Sequence, residues 1–255
     1  MSVTDYRTEF SGRTVLVTGG ASGIGRAVAN RLAAGGASVV IADFNEDGAA
    51  GAAEEITAGG ARATAIRLDV TDPASVEAAV TFATSTYGAL HLAVNNAGIS
   101  GEPVPVGEHP LQEWRRVVDT NLTGVFLCLR AELPEIVAAG GGAVVNMASI
   151  LGTNGFPGAA GYVAAKHGVV GLTKTAALEY AERGVRVNAV GPGFIDTPLL
   201  HRSETIDFEQ LVSLHPAGRL GRAEEVAELT AFLLSDRASF VHGSYHLVDG
   251  AYAAR

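Results

Sequence analysis

Short runs of β-branched and aliphatic residues alternate along this chain with longer stretches whose apolar positions recur every three or four residues. The short runs at 14–17, 38–42, 63–68, 90–94, 142–148 and 185–190 read as strands. Between the first two, Ile24, Val28 and Leu32 share one helical face, and the pattern stops at Gly35-Gly36. Thr71-Asp72-Pro73 opens another helix, with a cap followed by proline at an early helical position. One long helix is predicted over 111–137, carrying Asn121, and another over 159–182. Strands separated by helices throughout predict an α/β fold built on a parallel, doubly wound sheet with helices on both faces. No linker or internal repeat interrupts the pattern, so a single domain over 1–255 is expected, with 1–12 as a lead-in.

The first strand runs into Thr18-Gly19-Gly20-Ala21-Ser22-Gly23-Ile24-Gly25 and then into a helix. Glycines at such a turn let backbone amides and a helix N-terminus approach a pyrophosphate. The spacing is G-x-x-x-G-x-G; neither G-x-G-x-x-G nor the Gly-Lys-Ser/Thr of a P-loop is present. Asp43 closes the second strand about 20 residues further on, where a carboxylate accepts hydrogen bonds from both ribose hydroxyls. A 2′-phosphate there would meet like charge, and neither Ser22 nor Phe44 offers a cation. The expected cofactor is therefore NAD rather than NADP.

Tyr162 and Lys166 stand one turn apart on the predicted 159–182 helix. An ammonium near a phenol favours the phenolate and lowers a pKa that starts near 10. Bringing it near neutrality takes roughly 4 kcal/mol from Lys166 and any other nearby positive charge. A tyrosine tuned in this way serves as general acid or base. The spacing alone also describes an ordinary amphipathic pair, with the lysine stem covering the ring.

The rest of the composition mostly excludes. At 255 residues the chain buries roughly 70–75% of its unfolded surface without a metal or disulfide staple. A net charge of −9 argues against nucleic-acid or anionic-membrane partners, and Arg115-Arg116 is expected on a solvated helix face. Cys128 has no internal partner, the N-terminal residues lack a signal-peptide pattern, and no run of eighteen apolar residues occurs. A cytoplasmic protein is the expectation. No metal site is expected: His242 and His246 fall on a turn and strand, about 13 Å apart. His167 points about 100° away from Lys166 on a helix.

Thr18-Gly19-x-x-x-Gly23-Ile24-Gly25, Asn95-Asn96-Ala97-Gly98, Asn121, Ser149, Tyr162-x-x-x-Lys166 and Pro192-Gly193 occur in this order. Together they resemble the short-chain dehydrogenase/reductase family, over nearly the whole chain. The resemblance implies a Rossmann-type sheet of about seven strands, the last at Tyr245-His246-Leu247-Val248. It implies hydride exchange between nicotinamide and a carbinol or carbonyl carbon. Tyr162 would be the acid/base, and Lys166 would serve both the tyrosine pKa and the nicotinamide ribose. Ser149 would hold the substrate oxygen, and Asn121 would support a water through its backbone. Asp69 and Val70 would flank adenine, Asn95, Ala97 and Gly98 would border the cofactor, and Pro192, Gly193, Ile195 and Thr197 would meet the carboxamide. Two departures from the family pattern stand out: Gly191, where a larger residue is common, and Ala251, where a further glycine is common.

In this family the segment 192–216 covers the substrate. Phe194, Leu199, Leu200, Phe208 and Leu211 would give it apolar contacts, with His201 and Arg202 as polar exceptions. Ile150, Leu151, Asn154 and Phe156 would line the other side. The expected substrate is a neutral secondary alcohol or ketone of small to medium size. A 3-oxoacyl-carrier-protein reductase shares the motifs, but such enzymes commonly use NADPH, which Asp43 opposes. Sugar and hydroxysteroid dehydrogenases share the scaffold, and a non-catalytic dinucleotide sensor is the alternative from another class. A homo-oligomer, dimer or tetramer, is expected through the helices around Asn121 and Tyr162, with Val170, Ala176 and Ala177 outermost.

Overall fold

A computed structural model describes residues 8–201 and 207–254. Seven strands form one sheet in the order β3-β2-β1-β4-β5-β6-β7. They are β1 (Thr14–Thr18), β2 (Ser38–Asp43), β3 (Arg62–Arg67), β4 (Leu92–Asn95), β5 (Gly142–Met147), β6 (Val185–Pro192) and β7 (Tyr245–Val248). Every pairing is parallel. Side chains alternate between faces along a strand, so a strand apolar at every position needs a core on both sides. Val15, Val17, Val39 and Ile41 pack into one core with the helices α1 (Gly23–Ala34), α2 (Glu46–Ala58) and α7 (Ala223–Leu234). Leu16, Val40 and Ala42 pack into the other, with α3 (Pro73–Tyr87), α5 (Gly124–Ala138) and α6 (Ala160–Tyr180).

The chain order reverses between β1 and β4, and ligands of open α/β sheets bind beyond the carboxyl ends at such a switch point. The Gly19 and Asn96 turns meet there. The Thr18 hydroxyl accepts from the N–H groups of Asn96 and Ala97 at 3.0 and 3.1 Å. The Asn96 amide donates back to the Thr18 and Gly19 carbonyls, both at 3.0 Å. A Cβ on Gly25 would lie 2.5 Å from that amide nitrogen, so only glycine lets α1 approach so closely.

Three expectations change. The helix predicted over 111–137 is two helices, α4 (Leu111–Val118) and α5, joined by a π-turn over Asp119–Thr123. The Asn121 side chain occupies that turn: its amide donates to the Val117 and Ile99 carbonyls, both at 2.9 Å, and its oxygen accepts from the Ile99 N–H at 3.2 Å. Such single π-turns concentrate at functional sites. Second, Val170, Ala176 and Ala177 are buried in the sheet-facing core; the large exposed apolar residues on α5 and α6 are Phe126 and Leu178, the latter 84% exposed. Third, residues 8–12 are more than a lead-in: Phe10 is in the core, and its N–H donates to the Gly35 carbonyl at 2.8 Å.

Ala251 holds φ at 69°, alone among described non-glycine residues in having a positive φ. Asp249 fixes this turn by accepting from the N–H groups of Ala251 and Ala253 at 3.1 and 2.9 Å. An alanine stands here in a conformation that favours glycine.

Candidate active site

Two adjoining cavities lie at the carboxyl edge of the sheet. The first, about 590 Å³, runs over Gly19, Ser22, Gly23, Ile24, Asp43, Phe44, Asp69, Val70, Ala97, Gly98 and Thr197. Ser22 caps α1 without a side-chain hydrogen bond, and the first turn carries no acidic residue. Its orphan N–H groups therefore remain for an anion such as a pyrophosphate. Asp43 is fixed by backbone donors, Ala21 N–H at 3.0 Å and Asn45 N–H at 2.9 Å, one to each carboxylate oxygen. Arg116, expected on a solvated face, lines this groove while paired with Glu113 at 2.6 Å. The cation that sequence reasoning did not find is Arg67. It is the register partner of Asp43, and its guanidinium stands 4.9 Å from the Phe44 ring centroid.

The second cavity, about 440 Å³, holds Asn121, Ser149, Tyr162 and Lys166. Ile24, Asn96, Gly98, Thr197 and Leu199 border both cavities, so the two adjoin. Ser149 leaves β5 as the cap of a 3-10 turn (Ile150–Gly152), and its hydroxyl oxygen accepts from Leu151 N–H at 3.2 Å. Its own proton is thereby directed elsewhere. Tyr162 lies in the first turn of α6, and Lys166, one turn on, is 3% exposed. The Lys166 ammonium donates to the Met147 carbonyl at 2.7 Å and sits 5.5 Å from the Tyr162 ring centroid. Burial pushes Lys166 down to about 8. Burial also raises the Tyr162 phenol above its ordinary value, against a lowering by the Ser149 hydroxyl. In the protein by itself, then, desolvation dominates both groups.

Pro192, Gly193, Ile195, Leu151, Phe156, Phe194 and Leu200 line this second cavity as well. Several predicted residues stand apart from it. Asn154 turns its amide to the Ile150 carbonyl at 2.9 Å. His201 pairs with Asp196 at 2.6 Å and stacks on Phe208, while Arg202 lies outside the described residues. Asn95 borders neither cavity; Asn96 takes that place, because strand alternation turns the Asn95 side chain into the sheet. There it donates to Glu132 and Asn146, both at 3.0 Å. His167 is exposed, and no group of three or more metal-ligating side chains occurs among the described residues.

Sequence reasoning also missed two buried titratable groups near the site. His215 accepts the Phe194 N–H at 3.2 Å through Nε2 and donates from Nδ1 to the Leu211 carbonyl at 2.9 Å. This holds the Phe194 ring 5.9 Å from Phe156, across the cavity wall. Glu132 is fully buried, and burial raises its carboxyl to about 7 against the lowering by Asn95. Because this pKa lies above the unfolded value of 4.5, stability is lost as pH rises from the unfolded toward the folded pKa. Glu132→Gln is expected to remove about 3 kcal/mol of that pH dependence, read as the difference between variant and parent in urea unfolding at pH 5 and pH 8. Equal slopes would show that Glu132 ionises as freely folded as unfolded.

The family model described as enoyl-(acyl carrier protein) reductase matches residues 19–253. A cyclohexanol dehydrogenase of Acinetobacter sp. (strain SE19) is 53% identical over 247 residues, 97% of each chain. The chain belongs to the short-chain dehydrogenase/reductase family. A second relative from this family, a cis-4-hydroxycyclohexanecarboxylate dehydrogenase of Sinomonas cyclohexanicum, is 48% identical, covering 96% of this chain and 98% of its own. The crystal structure of levodione reductase superimposes with a TM-score of 0.91 at 41% identity, over 96% of this chain and 99% of that one. Short-chain dehydrogenases use a nicotinamide dinucleotide, and the glycine turn, the open helix N-terminus and the Asp43 carboxylate fit one. No helix among the described residues is long and apolar enough to cross a membrane.

Proposed function

We propose that the protein is an NAD(H)-dependent oxidoreductase that interconverts a secondary alcohol and its ketone, with six-membered-ring alcohols as its substrate class. The observation that carries this reading is the 440 Å³ cavity. Its walls include Leu151, Phe156, Phe194, Leu199, Leu200 and Leu211, and Ser149, Tyr162 and Lys166 also line it. Walls of that kind take up a compact apolar ring and leave one oxygen to be held by polar groups. The names of the two relatives above support the same class.

Bound NAD supplies the hydride acceptor. Ser149 donates its hydroxyl proton to the substrate oxygen and orients it. Tyr162 takes the alcohol proton at its phenolic oxygen during oxidation and returns it during reduction. Lys166, charged and tied to Met147, provides the positive field that stabilises the phenolate. Asn121 spends its side chain on Ile99 and Val117, which leaves its backbone to support a water on the proton route.

Asp43 favours NAD because both its oxygens are pinned toward the groove by backbone donors. Asp43→Asn is expected to raise kcat/KM for NADP relative to NAD by about 10- to 100-fold. It removes the repulsion while Arg67, over Phe44, remains to meet a 2′-phosphate. Unchanged cofactor ratios, or parity in the parent, would refute this assignment.

The test of the whole reading is a product-identified screen of cyclohexanols, cyclohexanediols and linear secondary alcohols with NAD, with Tyr162→Phe as control. Turnover confined to linear alcohols would overturn the ring class, and NAD binding without turnover would favour a dinucleotide sensor. A homo-oligomer through α5 and α6 is also proposed, on the exposed Phe126 and Leu178; a monomeric mass by light scattering would refute it.

A further inference from the structure

Gly191 has no role in the chemistry above, yet its position in β6 is tightly constrained. A Cβ there would lie 2.5 Å from Cε2 and 2.6 Å from Cζ of Tyr245. Tyr245 opens β7 opposite Ala189, and its ring crosses the bare backbone of Gly191. At the far side its hydroxyl donates a hydrogen bond to the carbonyl of Ser149, 96 residues away in the chain. The Ser149–Gly152 turn also packs against α6: a Cβ on Gly152 would lie 3.3 Å from the Lys166 carbonyl and 3.5 Å from the Tyr245 hydroxyl. The turn that carries the Ser149 hydroxyl is thus in contact with both α6 and Tyr245.

We infer that Tyr245 is a positioning residue for Ser149, and that Gly191 is the vacancy in β6 that lets it reach. The inference rests on the proposed role of Ser149. A hydroxyl that must hold a substrate oxygen needs its backbone fixed to within about half an ångström, and β5 ends just before it. Tyr245 supplies that restraint from the last strand of the sheet, without touching substrate.

The test uses Tyr245→Phe, Gly191→Ala and the double variant Gly191→Ala/Tyr245→Ala in the full-length protein. Tyr245→Phe keeps the ring and loses only the hydroxyl. It is expected to lower kcat about tenfold, the scale of one hydrogen bond, with KM for NAD unchanged. Amide hydrogen exchange over 149–153 should quicken in the same variant. Gly191→Ala should lower both kcat and Tm, and the double variant should regain Tm but not kcat. A purely structural contact would instead restore both together. Parent-like kcat and parent-like exchange in Tyr245→Phe would overturn the inference. If Tyr162→Phe retained full turnover, the reading of the site would fail, and exchange over 149–153 would still decide whether Tyr245 restrains Ser149.

Discussion

Replacing Tyr162 with phenylalanine is expected to lower kcat by about 100- to 10,000-fold, the usual contribution of a positioned acid/base. NAD affinity and KM for the alcohol should stay within about twofold, because the ring volume and its packing are preserved. The large effect follows from the cavity's inventory. Tyr162 is the group to which the proposed mechanism gives the proton exchange, with Ser149 and Lys166 fixed beside it through Leu151 and Met147. The parent's pH profile should carry the signature of burial. Since desolvation raises the phenol above its ordinary value, the proton-accepting form is a minor species at neutral pH. Alcohol oxidation should therefore climb with pH in the alkaline range, and ketone reduction should fall over the same range. Tyr162→Phe should lose both slopes. A variant that kept parental kcat, or kept the alkaline rise in oxidation, would remove Tyr162 from the chemistry.

The alternation of strands and helices was legible because an α/β sheet buries both faces, so its central strands read as continuous apolar runs, whereas the edge strand β7 came only from the family resemblance. The glycine turn and Asp43 were legible for a similar reason: close backbone approach and strand termination are local properties. What escaped depends on which way a side chain points, or on contacts between remote segments. Asn95 and Asn96 are neighbours in sequence, yet strand alternation sends the first to Glu132 and the second to the groove. Arg67 comes beside Asp43 and over the Phe44 ring only because β3 pairs in register with β2. The π-turn within 111–137 was not read from the sequence; it is fixed by the Asn121 side chain's bonds to Val117 and Ile99, a contact with a remote segment. The two departures from the family pattern were visible as oddities, and geometry accounts for one: Gly191 is small because Tyr245 fills the space beside it. Ala251 takes a left-handed conformation without glycine's freedom, held by the Asp249 turn.

Lys166→Met is expected to weaken NAD binding and lower kcat together, while leaving the fold at least as stable at pH 7. The first half follows from position. At 5.5 Å from the ring centroid, an ammonium stabilises a phenolate by about 3 kcal/mol at an effective dielectric of about 20. That is most of the roughly 4 kcal/mol needed to bring a free phenol near neutrality, and the Ser149 hydroxyl adds to it. The burial that raises Tyr162 makes this contribution more necessary. The second half is a matter of linkage. Lys166 titrates at about 8 in the fold against 10.5 unfolded, so the buried ammonium costs about 3 kcal/mol below the folded pKa. That penalty is relieved as pH rises from the folded toward the unfolded value. Methionine carries no charge to desolvate and fills a similar volume, although the Met147 carbonyl loses its partner. Urea unfolding at pH 7 and pH 10 reads the stability, and the parent should gain stability over that interval relative to the variant. Isothermal titration with NAD reads the affinity. Normal NAD affinity with low kcat would confine Lys166 to the tyrosine, while normal kcat would dissolve the pair altogether. A buried lysine that destabilises the protein and is nonetheless required for turnover would mark a group held for its charge rather than for its packing.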